Sequence, residues 1–314
     1  MIIVHHNDAD GLCAAALVRM YHESNGHIDK QYPEITFVER CHLPVTDFIN
    51  PQMGEVVYIV DYSLSPAEME HILNVTDNVV WIDHHISAIE KFKDWPTPIA
   101  GLRCNGISGC MLTWIWLYKY TEYATDSVNE ELLHNLKMLA PYYVRLINDW
   151  DVWDHKMEST RAFITGFNAE LQEFKPDSDL WWSLDRRPDM VKQFIDRGYI
   201  MESFKNGWAN SLRNQIGFYA EIEGYKFYCL NCGNINSTYF GSQEELGVDG
   251  FMAFSFNGSV WKISMYSTTI DVGDICTRQG GGGHKGAAGY VSDLFPFSRE
   301  ASLVAKICTD TNAE

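Results

Sequence analysis

Val79-Val80-Trp81-Ile82 runs directly into Asp83-His84-His85, four apolar residues followed by a carboxylic acid and two imidazoles. A short, continuous apolar run of this kind reads as a strand buried on both faces, the mark of a parallel sheet. The pattern occurs twice more upstream. Ile2-Ile3-Val4 leads into His5-His6-Asn7-Asp8-Ala9-Asp10-Gly11, and Val56-Val57-Tyr58-Ile59-Val60 ends at Asp61. Ile35 to Val38 is a further β-like stretch. Helical segments separate these strands. Gly11 to Met20 carries residues at helical spacing, and Ser65-Pro66-Ala67-Glu68 is a capping box with proline at the first helical position. Such alternation predicts crossover helices on an α/β sheet.

Sites in open α/β sheets form at the carboxyl ends of the strands. The three strand ends would therefore gather several carboxylates and imidazoles. Carboxylates held that close repel unless cations intervene. A mixed Asp/His set suits Mn²⁺, Co²⁺, Fe²⁺ or Zn²⁺ better than an all-oxygen Mg²⁺ site. More than four ligands imply two ions about 3.5–4 Å apart, a pair suited to in-line attack of water on phosphorus. One more carboxylate is expected from Asn148-Asp149-Trp150-Asp151, after the apolar helix Tyr142 to Ile147; either acid fits.

The rest of the chain bounds the answer. Its 314 residues are 46% hydrophobic and 13% aromatic, enough for two domains with real cores. Met111 to Tyr120 and Glu130 to Ile147 look helical, and a long helix is expected over about Met190 to Asn214. Beyond it the pattern changes to strands at Tyr225 to Leu230, Gly250 to Phe256 and Val260 to Ser267, then a Gly-rich loop and a last helix. The expected division is 1–185, a helical linker 186–216, and a smaller α/β domain 217–314. No apolar run reaches the roughly 18 residues of a membrane span, and no signal peptide is read at the N-terminus, so a cytoplasmic location is expected. The net charge of −18 argues against a grip on long duplex DNA but allows a short anionic substrate. Cys229-x-x-Cys232 has no second pair to complete a zinc site, and two plain thiols are the simpler reading.

Taken together, these motifs resemble the DHH–DHHA1 phosphoesterases, which include RecJ-type exonucleases, nanoRNases and cyclic-dinucleotide phosphodiesterases. His6-x-Asp8-x-Asp10-Gly11, Asp61, Asp83-His84-His85 and Asp149 match the four motifs of the first domain, and Gly280-Gly281-Gly282-Gly283-His284-Lys285-Gly286-Ala287-Ala288-Gly289 matches the signature of the second. The resemblance implies that Asp8 and Asp10 each hold a different ion and that Asp61 bridges both. His6 would join the first ion, and His84 and Asp149 the second. His85 would contact a phosphate oxygen or help protonate the leaving oxygen, with Asp83 beside it or orienting His84. The loop Gly281-Gly282-Gly283 would offer backbone N–H groups to the anionic end of the substrate, with His284 and Lys285 as side-chain contacts and the Ala-Ala-Gly segment starting a helix. Ser108, ahead of the Met111 helix, is either a substrate contact or a simple N-cap.

There are departures from the family pattern. Tyr266 stands in Ser264-Met265-Tyr266-Ser267, where nanoRNA-degrading relatives often carry an arginine. Val4 stands where many relatives place the first histidine, so His5 and Asp151 are further candidates for the metal shell. Taken alone, Asp8-Ala9-Asp10-Gly11 is also what an ordinary helix-capping turn looks like. The expected function is a phosphodiesterase that uses two divalent ions, Mn²⁺ first and Co²⁺ or Mg²⁺ next, on short oligonucleotides or on linear or cyclic dinucleotides. The alternatives are a polyphosphate, pyrophosphate or nucleotide phosphomonoester hydrolase, and a non-catalytic nucleotide-binding protein on the same scaffold. A homodimer is compatible with the sequence.

Overall fold

The computed structural model describes residues 1–26, 34–40, 49–119 and 130–296. The chain divides into two compact units, Met1–Glu202 and Ser203–Glu314.

In the first unit the chain runs β1 (Ile2–His6), α1 (Ala9–Ser24), β2 (Thr36–Arg40), β3 (Val57–Val60), α2 (Pro66–Leu73), β4 (Val79–Ile82), α3 (Ile86–Lys91), α4 (Gly109–Tyr118), α5 (Glu130–Leu136), α6 (Tyr142–Asp151), α7 (Thr160–Asn168) and α8 (Leu180–Arg186), and α9 (Pro188–Ile216) begins in this unit and ends in the next. The strands form one parallel sheet in the order β2-β1-β3-β4, as the buried apolar runs require. Alternate strand residues feed two cores. Ile3, Tyr58, Val60 and Ile82 pack under α1, α4 and α6. Ile2, Val4, Val57, Ile59 and Trp81 face Met69 and Ile72 of α2 and Phe92. Both faces are therefore covered, and only the strand ends are left to present polar groups.

The local signals work as physics expects. Asp8 caps α1 by accepting from Gly11 N at 2.9 Å. Ser65 caps α2, whose first residue is Pro66. The single helix expected over Glu130 to Ile147 is instead broken into α5, a short 3₁₀ turn and α6. Pro141 is the cause. It has no N–H to give, and it drives Ala140 to an extended ψ of 152°. Trp181 of α8 lies fully buried in the same core, and Tyr120 falls outside the described residues. No described helix is long and apolar enough to cross a membrane.

The second unit contains β5 (Gly217–Ile222), β6 (Tyr225–Leu230), α10 (Gln243–Leu246), β7 (Gly250–Phe256), β8 (Trp261–Tyr266), α11 (Val272–Arg278), β9 (Gly282–His284) and β10 (Ala287–Ser292). Its six-stranded sheet has the order β5-β6-β7-β8-β10-β9, antiparallel except for β6 and β7. The smaller C-terminal α/β part is thus present. The Gly-rich segment corrects one expectation: Ala287-Ala288-Gly289 opens strand β10, not a helix. The reason is pairing. β10 lies between β8 and β9, and its residues find ladder partners on both sides. The final helix expected after it lies outside the described residues.

Candidate metal centre

The carboxyl ends of β1, β3 and β4 converge, α1 adds Asp10 and α6 adds Asp151. Three groups of ligand atoms result, each within 4.8 Å of one another: His6, Asp8 and Asp61; Asp10, His84 and Asp151; and Asp61, Asp83, His84 and His85. Asp61 also lies close to the second group, since His84 Nε2 is 3.1 Å from Asp61 Oδ1, 3.4 Å from Asp151 Oδ2 and 4.0 Å from Asp10 Oδ2.

Each side chain is held by its element. Asp10 sits in the first turn of α1. One of its carboxylate oxygens accepts from Gly109 N at 2.6 Å and the other from Cys110 N at 2.9 Å. These donors open α4, so the partial positive end of that helix faces the cluster. A carboxylate has about four lone-pair sites, so Asp10 keeps capacity for a cation. Asp61 has φ 52°, a strained left-handed conformation of the kind that gathers at functional sites. Gly109 makes this possible: a Cβ there would come within 2.4 Å of Asp61 Cβ.

Charge is the main tension. Burial, then Asp10, Asp8 and Asp151, pushes the Asp61 carboxyl well above the carboxylate range. Burial, then Asp10 and Asp8, raises Asp151 to about 8. Asp61 Oδ1 and Asp151 Oδ2 are buried without a hydrogen-bond donor. Two orphaned carboxylate oxygens beside an imidazole are what a divalent cation would satisfy, so the donor set fits metal ions.

Asp83 has a different task. Fully buried, it accepts from Ser63 Oγ, from His84 N at 2.8 Å and from His85 Nδ1 at 2.7 Å. It therefore holds the His84–His85 turn and the His85 ring, as a residue that orients His84 would. The hydrogen bond from His85 to Asp83 raises the His85 pKa above its ordinary value. His5 stands apart. It is buried, packs edge-on against Phe37, and its Nδ1 donates to His6 O at 2.8 Å. Burial lowers its pKa.

Two positions left open by the sequence take one of their alternatives. Asp149 does not join the described metal groups. Its carboxylate accepts from Lys156 N at 2.9 Å, Met157 N at 3.2 Å and Thr160 Oγ1 at 2.5 Å. Residues two apart on a helix point nearly opposite ways, so the face that presents Asp151 turns Asp149 away. Asn148, three before Asp151 and on its face, accepts from Ser108 N at 3.0 Å; this i, i+3 signal was readable in the sequence but unused. Ser108 is buried and accepts from Met111 N, so it is the N-cap of α4, not a substrate contact.

In the second unit His284 lies on exposed strand β9, at the edge of the sheet among the described residues. Lys285 and Gly286 form the turn into β10, their carbonyls accepting from Val272 N and Ser267 N. Gly281, Gly282 and Gly283 form an extended edge rather than a helix start. Gly283 has φ 144°, and a Cβ there would come within 2.6 Å of Ala288 Cα, so the hairpin requires glycine. Cys229 and Cys232 are free thiols.

The chain is 23% identical over 322 residues to the uncharacterized protein R106 of Acanthamoeba polyphaga mimivirus, covering 95% of this chain and 70% of that one. Among solved structures it is similar to an exonuclease RecJ bound to manganese, at 15% identity and a TM-score of 0.49 over 93% of this chain and 85% of that one. It is also similar to the pGpG-specific phosphodiesterase PggH of Vibrio cholerae, at 14% identity and a TM-score of 0.41 over 98% and 96% of the two chains. Residues 1–139, which carry His6, Asp8, Asp10, Asp61 and Asp83-His84-His85, match the DHH family, N-terminal domain.

Proposed function

We propose that the protein is a phosphodiesterase that uses two divalent ions, Mn²⁺ foremost, to hydrolyse short oligonucleotides or linear or cyclic dinucleotides. One observation carries this reading: two of the ligand groups lie side by side with Asp61 next to both, and two buried carboxylate oxygens have no donor. His6, Asp8 and Asp61 would hold one ion; Asp10, His84 and Asp151, with Asp61 shared, the other. When bound, the ions supply positive charge at the phosphoryl oxygens and acidify water.

The chain's own residues do the rest. His85 is the general acid. Asp83 holds its Nδ1–H, which leaves Nε2 to give a proton to the departing oxygen, and the raised pKa keeps the ring protonated further toward neutral pH. Asp83 also holds the backbone that carries His84, so one buried carboxylate sets both rings. The exposed β9 edge with His284 is the surface assigned to the phosphate or sugar of the substrate. The net charge of −18 is consistent with short substrates.

The test is a substrate panel with purified protein and Mn²⁺: short 5′-phosphorylated RNA, linear and cyclic dinucleotides, bis-phosphorylated adenosine, pyrophosphate and polyphosphate. Release of mononucleotide from the short nucleic acids is expected. Hydrolysis of pyrophosphate or polyphosphate alone would replace this reading with an inorganic phosphohydrolase.

A further inference from the structure

A cavity of 330 Å³ opens beside the metal ligands, wholly within the first unit. It is lined by His84, His85 and Asp151, by Asn105 and Gly106, and by Ile86, Val152 and Trp153. Trp153 is 70% exposed and Ile86 52%. With Val152 they line one cavity together, so they are a grouped apolar surface and not scattered single residues. A lining that mixes titratable and large apolar side chains is the profile of a site for a ligand with an anionic group and a flat ring.

The loop that carries Trp153 is built, not slack. Trp153 and His155 both take left-handed backbone, with φ 57° and 48°. Such conformations persist only where the surroundings enforce them. Asp149 does the enforcing. Its carbonyl accepts from Asp154 N and His155 N at 3.1 and 3.2 Å, and its carboxylate takes the bonds from Lys156, Met157 and Thr160 described above. Rings lock the result: Trp153 lies 5.5 Å from Trp150 and 4.4 Å from His155, centroid to centroid, the latter edge-to-face. The acid turned away from the metals thus shapes the loop that puts an indole beside them.

We propose that Trp153 is the platform on which a nucleobase of the substrate stacks, and that Asp149 is a positioning residue for it. This rests on the reading of the substrate as a nucleotide. Aromatic faces bind every base, so the contact would provide affinity with little sequence preference. An indole in this loop also explains why a chain with few basic residues could hold a nucleotide.

The experiment compares binding of AMP and of ribose 5-phosphate to the full chain with Mn²⁺, by calorimetry, alongside turnover of a dinucleotide. The unaltered protein is expected to prefer AMP by about 10-fold, the size of one stacked base. Trp153→Ala and Trp153→Leu should abolish the preference and raise KM for the dinucleotide by a similar factor with kcat little changed, while Trp153→Phe keeps most of it. Trp153→Leu retains apolar bulk, so it decides the matter if the alanine variant does not fold. Equal binding of the two ligands by the unaltered protein, or an AMP preference that survives Trp153→Leu, overturns the proposal. If no phosphodiester is hydrolysed but a Trp153-dependent AMP preference is present, the stacking site stands and the phosphodiesterase reading fails.

Discussion

The carboxyl edge of the parallel sheet and the β9–β10 hairpin are built on opposite principles. At the first, charged side chains are buried: Asp10, Asp61 and Asp83 are each at most 2% exposed. At the second, Gly282 to His284 are exposed, and glycines make the surface mostly backbone. The first region gathers like charge at a cost in stability. The second gathers little charge and costs little. The buried cluster is held in place because the strands that deliver it are anchored by two apolar cores. Under the proposed function, chemistry belongs to the first edge and recognition to the second, and substitutions can break that division.

Asp61→Asn carries the largest expected effect. Asparagine tolerates the left-handed backbone at this position, so the fold should survive while the carboxylate shared by two ligand groups is lost. Turnover should fall by more than about 1000-fold, since metal-supplied charge is worth several kcal/mol at the transition state. A loss of less than tenfold would move the chemistry away from this edge.

Asp83→Asn should lower kcat by about 10–100-fold, the usual cost of an outer-layer partner. It should also move a titration. The rate falls as His85 loses its proton with rising pH. Asp83 holds that pKa up, so the variant's alkaline limb should shift to lower pH. An unshifted limb would exclude His85 as the acid.

Metal removal probes the tension directly. Asp61 and Asp151 have folded-state pKa values above their unfolded ones, Asp151 at about 8. Their contribution is therefore full below about pH 4 and is lost as pH rises toward 8. Thermal melts of the chelated protein should show this drift superimposed on its other titrations. Mn²⁺ at about 100 times its Kd should recover about 2.7 kcal/mol, several degrees in Tm, at pH 8. No metal-dependent gain at pH 8 would break the assignment of the cluster as a metal centre.

His284→Ala is the mildest. It should raise KM by about 3- to 10-fold and leave kcat nearly unchanged, as expected of a residue that binds ground and transition states alike. An equal fall in kcat would place chemistry on the hairpin as well.

Much of this was legible before any coordinates. Apolar runs that stop at His6, Asp61 and Asp83 determine a parallel sheet with its polar groups at one edge, because a strand buried on both faces can present charge only where it ends. The order of the ligand types along the chain, and the glycine-rich segment that only a backbone surface explains, belong to the sequence too. Which of Asp149 and Asp151 faces the metals does not. On a helix each residue turns the side chain by about 100°, and the phase of α6 against the sheet is set by packing of Val144 and Ile147 in the core, not by local pattern. The same holds for Ser108, which tertiary contact with Asn148 makes a cap. It holds as well for Ala287-Ala288-Gly289, made a strand by its neighbours β8 and β9. Sequence determined which groups the chain could bring to the site; only long-range packing decided which way each of them points.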